Sequence, residues 1–446
     1  MFKIFNQLIK SVLLLLIMSF TFNKKNYAQQ QTTLSLNQAI DLSIKNSKQL
    51  KASKARIDIA TANLLAAKNN ELPNFTISGS YLRILQPNIN LAYKTAPPAN
   101  GQPANQVPSV NSAAYGIANI SYPIFAGGKI KYGIESATYL QQAASLDAEN
   151  DKDAIALNAI NAFINIYKAS LTVNILKNNL EASRQRDSNF ARLEQNGILP
   201  RNDLLKTELQ TSNVELNLLE AQSNLELAAI NLNLMLGING NNVPILDTTG
   251  FSNMWLFTID DYQAKALQNR RDLAAIAIRE KATVTAIKSA RSDAYPTIAL
   301  TGGYVAAYIP KFITITNAIN AGIGVQYNLA SLYKSNSRLL EAKARNAELE
   351  ANQQALADAI TYQVNQAYSS YVLSQKKIEV YSKAIIQAAE NYRITKNKYD
   401  NSLSTLTELL EADVANQQAV LNYTLAKADA VSSYNKLLQT SGLLKY

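Results

Sequence analysis

Glu408 and Glu411 lie three residues apart near the start of a breaker-free run, a spacing that puts both carboxylates on one face of a helix. Two readings fit them: a local field that draws cations, or a pair of acids that complement the positive end of a helix. Gly127-Gly128-Lys129 invites comparison with a phosphate-binding loop. It lacks the spaced first glycine and the Ser or Thr after the lysine, so the glycines are expected instead to let a strand bend into a helix. The chain has no His and no Cys. That removes imidazole acid–base chemistry, thiol nucleophiles, disulfides and zinc-finger spacing. The remaining carboxylates fall in no catalytic spacing, so no enzyme activity, cofactor or metal site is expected.

The formal net charge is +10, but the Lys and Arg residues are scattered rather than clustered. A nucleic-acid partner needs a clustered basic footprint, and none is present. Lys3 and Lys10 precede a short apolar core, Ser11–Phe22, and Ala28 precedes a Gln-rich stretch. This reads as a secretory signal peptide over residues 1–28, too short in its apolar part to span a membrane.

The rest of the chain is one unit written twice. At an offset of 223 positions, Asn46, Arg56, Pro73 and Gly79 fall on Asn269, Arg279, Pro296 and Gly302. At an offset of 205, Tyr122, Lys129, Asn196, Leu204 and Gly237 fall on Tyr327, Lys334, Asn401, Leu409 and Gly442. The 18-residue surplus lies between Tyr81 and Tyr115. Its Lys94–Ser112 portion is rich in Pro, Ala and Asn and is expected to be a loop outside the membrane. The expected organisation is a first repeat over 29–238, a linker over 239–257 holding Trp255, and a second repeat over 258–446. Long internal duplication points to a wall of equivalent staves.

Each repeat is expected to run helix, β-hairpin, long helix, return helix. Ile319, Ala321, Ile323, Val325, Tyr327 and Leu329 alternate with small or polar residues, as in a strand between lipid and water. Tyrosines near the strand ends, among them Tyr81, Tyr93, Tyr115, Tyr304 and Tyr308, suit a membrane interface. Lys129–Gln195 is 67 residues, ~100 Å as a helix. Ile155, Ala159, Ala162, Ile166, Ala169, Val173, Leu176 and Leu180 form a seven-residue seam along it. The chain then turns at Asn196-Gly197, with Gly197 expected at positive φ and Pro200 opening the return helix Arg201–Leu236. The corresponding turn, Asn401-Ser402, has neither breaker. Leu34–Leu72 and the return helix together match the long helix in length, so two short helices end to end beside a long one are expected.

Three segments carry a family resemblance: Tyr122-Pro123-Ile124-Phe125-Ala126-Gly127-Gly128-Lys129 at the strand–helix junction, Asn196-Gly197 with Arg201-Asn202-Asp203-Leu204-Leu205-Lys206-Thr207, and Tyr399 with Leu406-Thr407-Glu408-Leu409-Leu410-Glu411-Ala412. On these the chain resembles the TolC family of outer-membrane efflux proteins. The resemblance implies a mainly α fold with a small β part: coiled-coil α-barrel staves plus four membrane strands per chain, closed as a homotrimer. It implies a passive channel of a tripartite efflux or type I secretion system, in the outer membrane of a Gram-negative bacterium with a periplasmic tunnel. Its partners would be a periplasmic adaptor, an inner-membrane pump and outer-membrane lipid. Asn196, Gly197, Pro200, Asp203, Asn401 and Ser402 would then mark the periplasmic tips. Glu408, Glu411 and Tyr399 would stand at a constriction. Ser402 and Ser404 depart from the family, which usually has Gly at the first and in some members a basic residue at the second. A secreted coiled-coil scaffold or a periplasmic adaptor would also explain long helices, but neither explains amphipathic hairpins at equivalent places in both repeats.

Overall fold

The computed structural model describes residues 33–85, 110–240, 242–247, 257–310, 312–334 and 336–446. The signal segment, nearly all of the Pro-rich loop and Trp255 lie outside the described residues. The first repeat contains β1 (Leu34–Ser35), α1 (Leu36–Asn46), α2 (Lys48–Asn69), β2 (Asn74–Arg83), β3 (Ser112–Phe125), α3 (Lys129–Gln195) and α4 (Arg201–Leu236). After β4 (Leu246–Asp247), the second contains α5 (Ile259–Asn269), α6 (Arg271–Arg291), β5 (Thr297–Ile309), β6 (Ile313–Gln326), α7 (Ser337–Asp400) and α8 (Leu406–Thr440).

The long helix and its return helix have the bounds expected from the sequence. Along α3 the seam is buried at Ile155, Ala159, Ala162, Ile166, Val173 and Leu180. Helix α3 is also buried on a second side, where Ala156, Ile160 and Ile164 pack with Ile40 of α1 and with Ala428 and Val431 of α8. It is the central stave, with α2 and α6 along one part of its length and α4 and α8 along the other.

The expected single helix Leu34–Leu72 is instead two. Ser47 is extended (φ −60°, ψ 120°), and its hydroxyl accepts from the Leu50 amide as the cap of α2. The break makes room for the end of the return helix. Gly237 caps α4 at φ 70°, and a Cβ there would come within 2.9 Å of Asn46. Asn46 Nδ2 donates to the Leu236 carbonyl at 2.6 Å. The second repeat breaks at Arg270, and a Cβ on Gly442 would likewise come within 2.9 Å of Asn269. The residue pairs that recur across the repeats are therefore contact partners.

The four main strands form one antiparallel sheet in the order β2-β3-β5-β6, with β3 and β5 joining the two hairpins. Register puts Phe75, Ile77, Ile120, Tyr122, Leu300, Tyr304, Ile319 and Ile323 on one face. Asn74, Thr76, Ser78, Asn119, Ser121, Thr301, Asn320 and Gly322 share the other. The sheet is thus apolar on one side and polar on the other, with β2 and β6 as its edges among the described residues.

Candidate functional site

The strand–helix junction and the tips bound the staves at opposite ends. At the junction, Gly127 and Gly128 take φ of 60° and 86°, values that cost an L side chain about 1–2 kcal/mol. A Cβ on Gly127 would also lie 2.8 Å from Tyr295 Cβ, so space as well as backbone conformation selects glycine. A register shift between Pro123 and Phe125 marks an irregularity at the end of β3, the kind of feature that bends a strand. Asp293 ties the junction together, accepting from Lys129 Nζ at 2.8 Å and from Arg338 Nη1 at 3.0 Å. Desolvation raises its pKa, but the bonds and charges of Lys129 and Arg338 outweigh this, so its carboxyl sits below the usual aspartate value.

The two tips pack as one body. Phe190, Leu204, Leu406 and Leu409 form a buried cluster joined by Leu199 and Tyr392. Tyr399 stacks on Phe190 with ring centroids 6.1 Å apart. Desolvation, then the charges of Asp203 and Asp400, raises the Tyr399 hydroxyl pKa. The tips also close in the same way. Asn196 and Asn401 each donate from Nδ2 to the carbonyl four residues earlier, at 2.7 Å in both cases. The Ile198 and Leu403 amides reach back to Leu193 and Lys398, at 2.9 and 2.7 Å. Gly197 has the expected positive φ, 72°, and Ser402 adopts 59° at the equivalent place without being glycine.

The acids divide. Asp203 lies in the first turn of α4 and accepts from Lys206 Nζ at 3.1 Å. Pro200 stands just before that helix as its cap residue, one position earlier than the first helical turn. Glu408 folds back on its own helix start, accepting from the Thr405 amide at 2.9 Å and from the Ser404 hydroxyl, in a capping box with Thr405. The Ser404 bond first, then the Thr405 amide, lowers its pKa. Glu411 is exposed on the same helix face one turn later. The structure therefore gives Glu408 a capping task and leaves Glu411 exposed. Among the described residues no cluster of three or more His, Cys, Asp or Glu could hold a metal ion.

One feature escaped the sequence reading. Helix α4 buries Leu204, Val214, Leu218 and Leu232 against its neighbours. On its opposite face, Leu205, Leu209, Leu216, Leu227 and Leu234 form an exposed stripe, each at least 49% accessible. Helix α7 does the same. Ile360, Val364, Ala367 and Tyr371 are buried, while Leu340, Tyr362, Leu373, Val380 and Ile394 are exposed on the other side. A helix apolar on two faces is built to be covered on both. The signal was present in the seven-residue spacings Leu209–Leu216, Leu227–Leu234 and Leu373–Val380.

A protein-family model described as "Outer membrane efflux protein" matches residues 39–238 and 263–443. The chain is 25% identical over 197 residues to the outer membrane protein TolC of Vibrio cholerae serotype O1. That match spans 43% of this chain and 43% of that protein, less than half the relative's length. Among solved structures, the chain resembles the Campylobacter jejuni CmeC outer membrane channel, with a TM-score of 0.74, 20% identity and coverage of 91% of this chain and 85% of that one. It resembles the Vibrio cholerae outer membrane protein VceC with a TM-score of 0.74, 18% identity and coverage of 91% and 96%. These likenesses extend over the helical staves and the strands together.

Proposed function

The chain belongs to the outer membrane efflux protein family, and from that premise we propose that three copies close into one passive conduit from periplasm to exterior, serving a tripartite efflux or type I secretion system. The observation that carries the proposal is the pair of unlike open borders. Strands β2 and β6 end the sheet unpaired, and an open edge in lipid leaves backbone groups without partners. Four strands are too few for a membrane barrel, whose smallest form has eight. The chain also exposes the leucine stripe of α4 and the apolar stripe of α7. One border differs from the other, so copies join head to tail and close as a ring. The family resemblance supports a ring of three.

In that ring the apolar sheet face meets outer-membrane lipid and the polar face lines water. The joined tips lie a long helix away, ~100 Å, and meet a periplasmic adaptor and an inner-membrane pump. Glu411, with Glu408 behind it, brings a ring of carboxylates to the tunnel mouth and favours cations there.

Light scattering of the detergent-purified protein tests the assembly: a particle of three chains is expected, and a monodisperse monomer overturns it. In planar bilayers, Glu411→Gln should lower cation preference and weaken block by multivalent cations. Unchanged selectivity would make Glu411 an ordinary helix-start acid.

A further inference from the structure

At the lower margin of the apolar sheet face, an open cleft of about 530 Å³ lies between the β3–α3 turn and the end of α6. Phe125, which pairs with Ile298 on that face, lines it. Tyr295, Tyr132, Lys288 and Arg291 line it too. Both cations are exposed, and among the described residues no acid lines the cleft. The acid nearest in sequence, Asp293, is held by Lys129 and Arg338.

Two further observations separate this cleft from ordinary surface charge. Helix α6 packs against α3 and α7 of its own chain, so the cleft is set back from the borders proposed to join neighbouring copies. The chemistry also occurs once in a duplicated fold. At the 223-residue offset, Lys288, Arg291 and Tyr295 fall on Leu65, Lys68 and Leu72. If the cations served only the negative end of the helix, the end of α2 would call for the same charges. It has a single lysine there and leaves Leu65 and Leu72 exposed.

We propose that this cleft binds the phosphate of a membrane phospholipid, with Lys288 and Arg291 on the headgroup and Phe125 and Tyr295 against the glycerol and upper acyl chain. The inference rests on the membrane reading of the sheet given above. The two cations supply charge-assisted donors to the phosphate, and their aliphatic stems run along the apolar wall while the charges reach the interface. Aromatic rings at this depth suit the boundary between hydrocarbon and water. The site would anchor the junction where strand turns into helix, once per chain.

The test uses the full chain purified in detergent, delipidated and titrated with phosphatidylglycerol under native mass spectrometry. Wild type should retain up to one phosphatidylglycerol per chain, and Lys288→Gln with Arg291→Gln should weaken retention at least fivefold. The charge-preserving pair Lys288→Arg and Arg291→Lys should retain it, which separates lost binding from lost folding. Millimolar inorganic phosphate should leave the lipid bound; displacement by phosphate would mean a simple anion site and would overturn the proposal. Equal retention by wild type and the Gln pair would also overturn it. Flotation with phosphatidylethanolamine–phosphatidylglycerol vesicles separates the two readings: failure of wild type to float refutes the membrane assignment. Flotation with equal lipid retention refutes only this site.

Discussion

The seam that joins the two repeats inside the chain adds ion pairs to its apolar clusters, whereas the two borders that end it carry apolar stripes and, at the matching positions, no such pairs. Inside, α3 is tied to the second repeat by ion pairs along its length: Lys129–Asp293, Arg279–Asp147, Lys168–Asp429 and Arg186–Asp413. By the repeat offsets, the same places on the borders carry Lys334 and Asn70, Arg56 and Asn352, Leu373 and Asn224, Asn391 and Glu208. None of these is an opposite-charge pair. Arg56 is already held by Asp151 of α3 at 2.6 Å. Duplication kept the helices at both places and changed their side chains. Charge pairs give direction to a seam whose partner is covalently tethered nearby, whereas apolar stripes suit the borders proposed to bury area against another copy.

Leu373→Lys gives the border the residue that α3 has at Lys168. It should put an unpaired charge into each proposed seam at a cost of about 2 kcal/mol apiece, and light scattering should show assembly lost or shifted to higher concentration. Adding Asn224→Asp recreates the Lys168–Asp429 arrangement across the border and should restore part of it. No effect of either change would separate the border from the inner seam altogether.

Arg186→Ala strikes the inner seam. Arg186 and Asp413 have side chains 15% and 12% accessible and lie 2.5 Å apart, so stranding Asp413 should cost about 3 kcal/mol of stability in thermal or denaturant unfolding. Replacing both with leucine should recover much of that loss, because the buried charge is then removed as well.

Asp293→Asn weakens the seam at its membrane end. Its partners are partly exposed, so the expected loss is about 1 kcal/mol at neutral pH. The folded pKa of Asp293 lies below the ordinary value of 3.8. Its contribution is therefore present above that value and lost as pH falls through the lower folded one. The gap between the melting curves of wild type and variant should be full near neutral pH and shrink progressively as pH falls below 3.8; a gap independent of pH would mean that the aspartate acts through packing rather than charge.

Ser402→Gly makes the second tip like the first. Removing a side chain from φ 59° relieves strain, offset by the extra freedom glycine has when unfolded, for a net gain of about 0.5 kcal/mol. A loss of stability would show that the serine makes a contact worth more than its backbone conformation costs.

Much of this was legible in advance. The absence of Gly and Pro between Arg201 and Leu236 set a helix whose ends the structure reproduces, because helix propagation is local. Alternation over Ile319–Val325 set the apolar sheet face, because strand side chains point to opposite sides by geometry alone. The pairing of Asn46 with Gly237 was present only as recurrence across the repeats, and folding turned recurrence into contact. The break at Ser47 was not legible, since nothing local forbids a continuous helix there; the arriving end of α4 imposes it.

The tips divide in the same way. Sequence placed both turns and the positive φ of Gly197, since glycine alone is indifferent to that conformation. It could not show that Ser402 follows, because the hydrogen bonds of the helix end and the packing of Tyr399 on Phe190 hold it there. The Thr405-Leu406-Thr407-Glu408 spacing did carry a capping-box signal that separates Glu408 from Glu411, and the folded chain turns the first back onto Thr405 and leaves the second exposed. Periodicity, turn chemistry and duplication were thus determined by the sequence itself, since each depends on neighbours along the chain. Which faces meet, which charges pair and which stripes stay uncovered were decided by tertiary structure, where residues hundreds of positions apart compete for the same space.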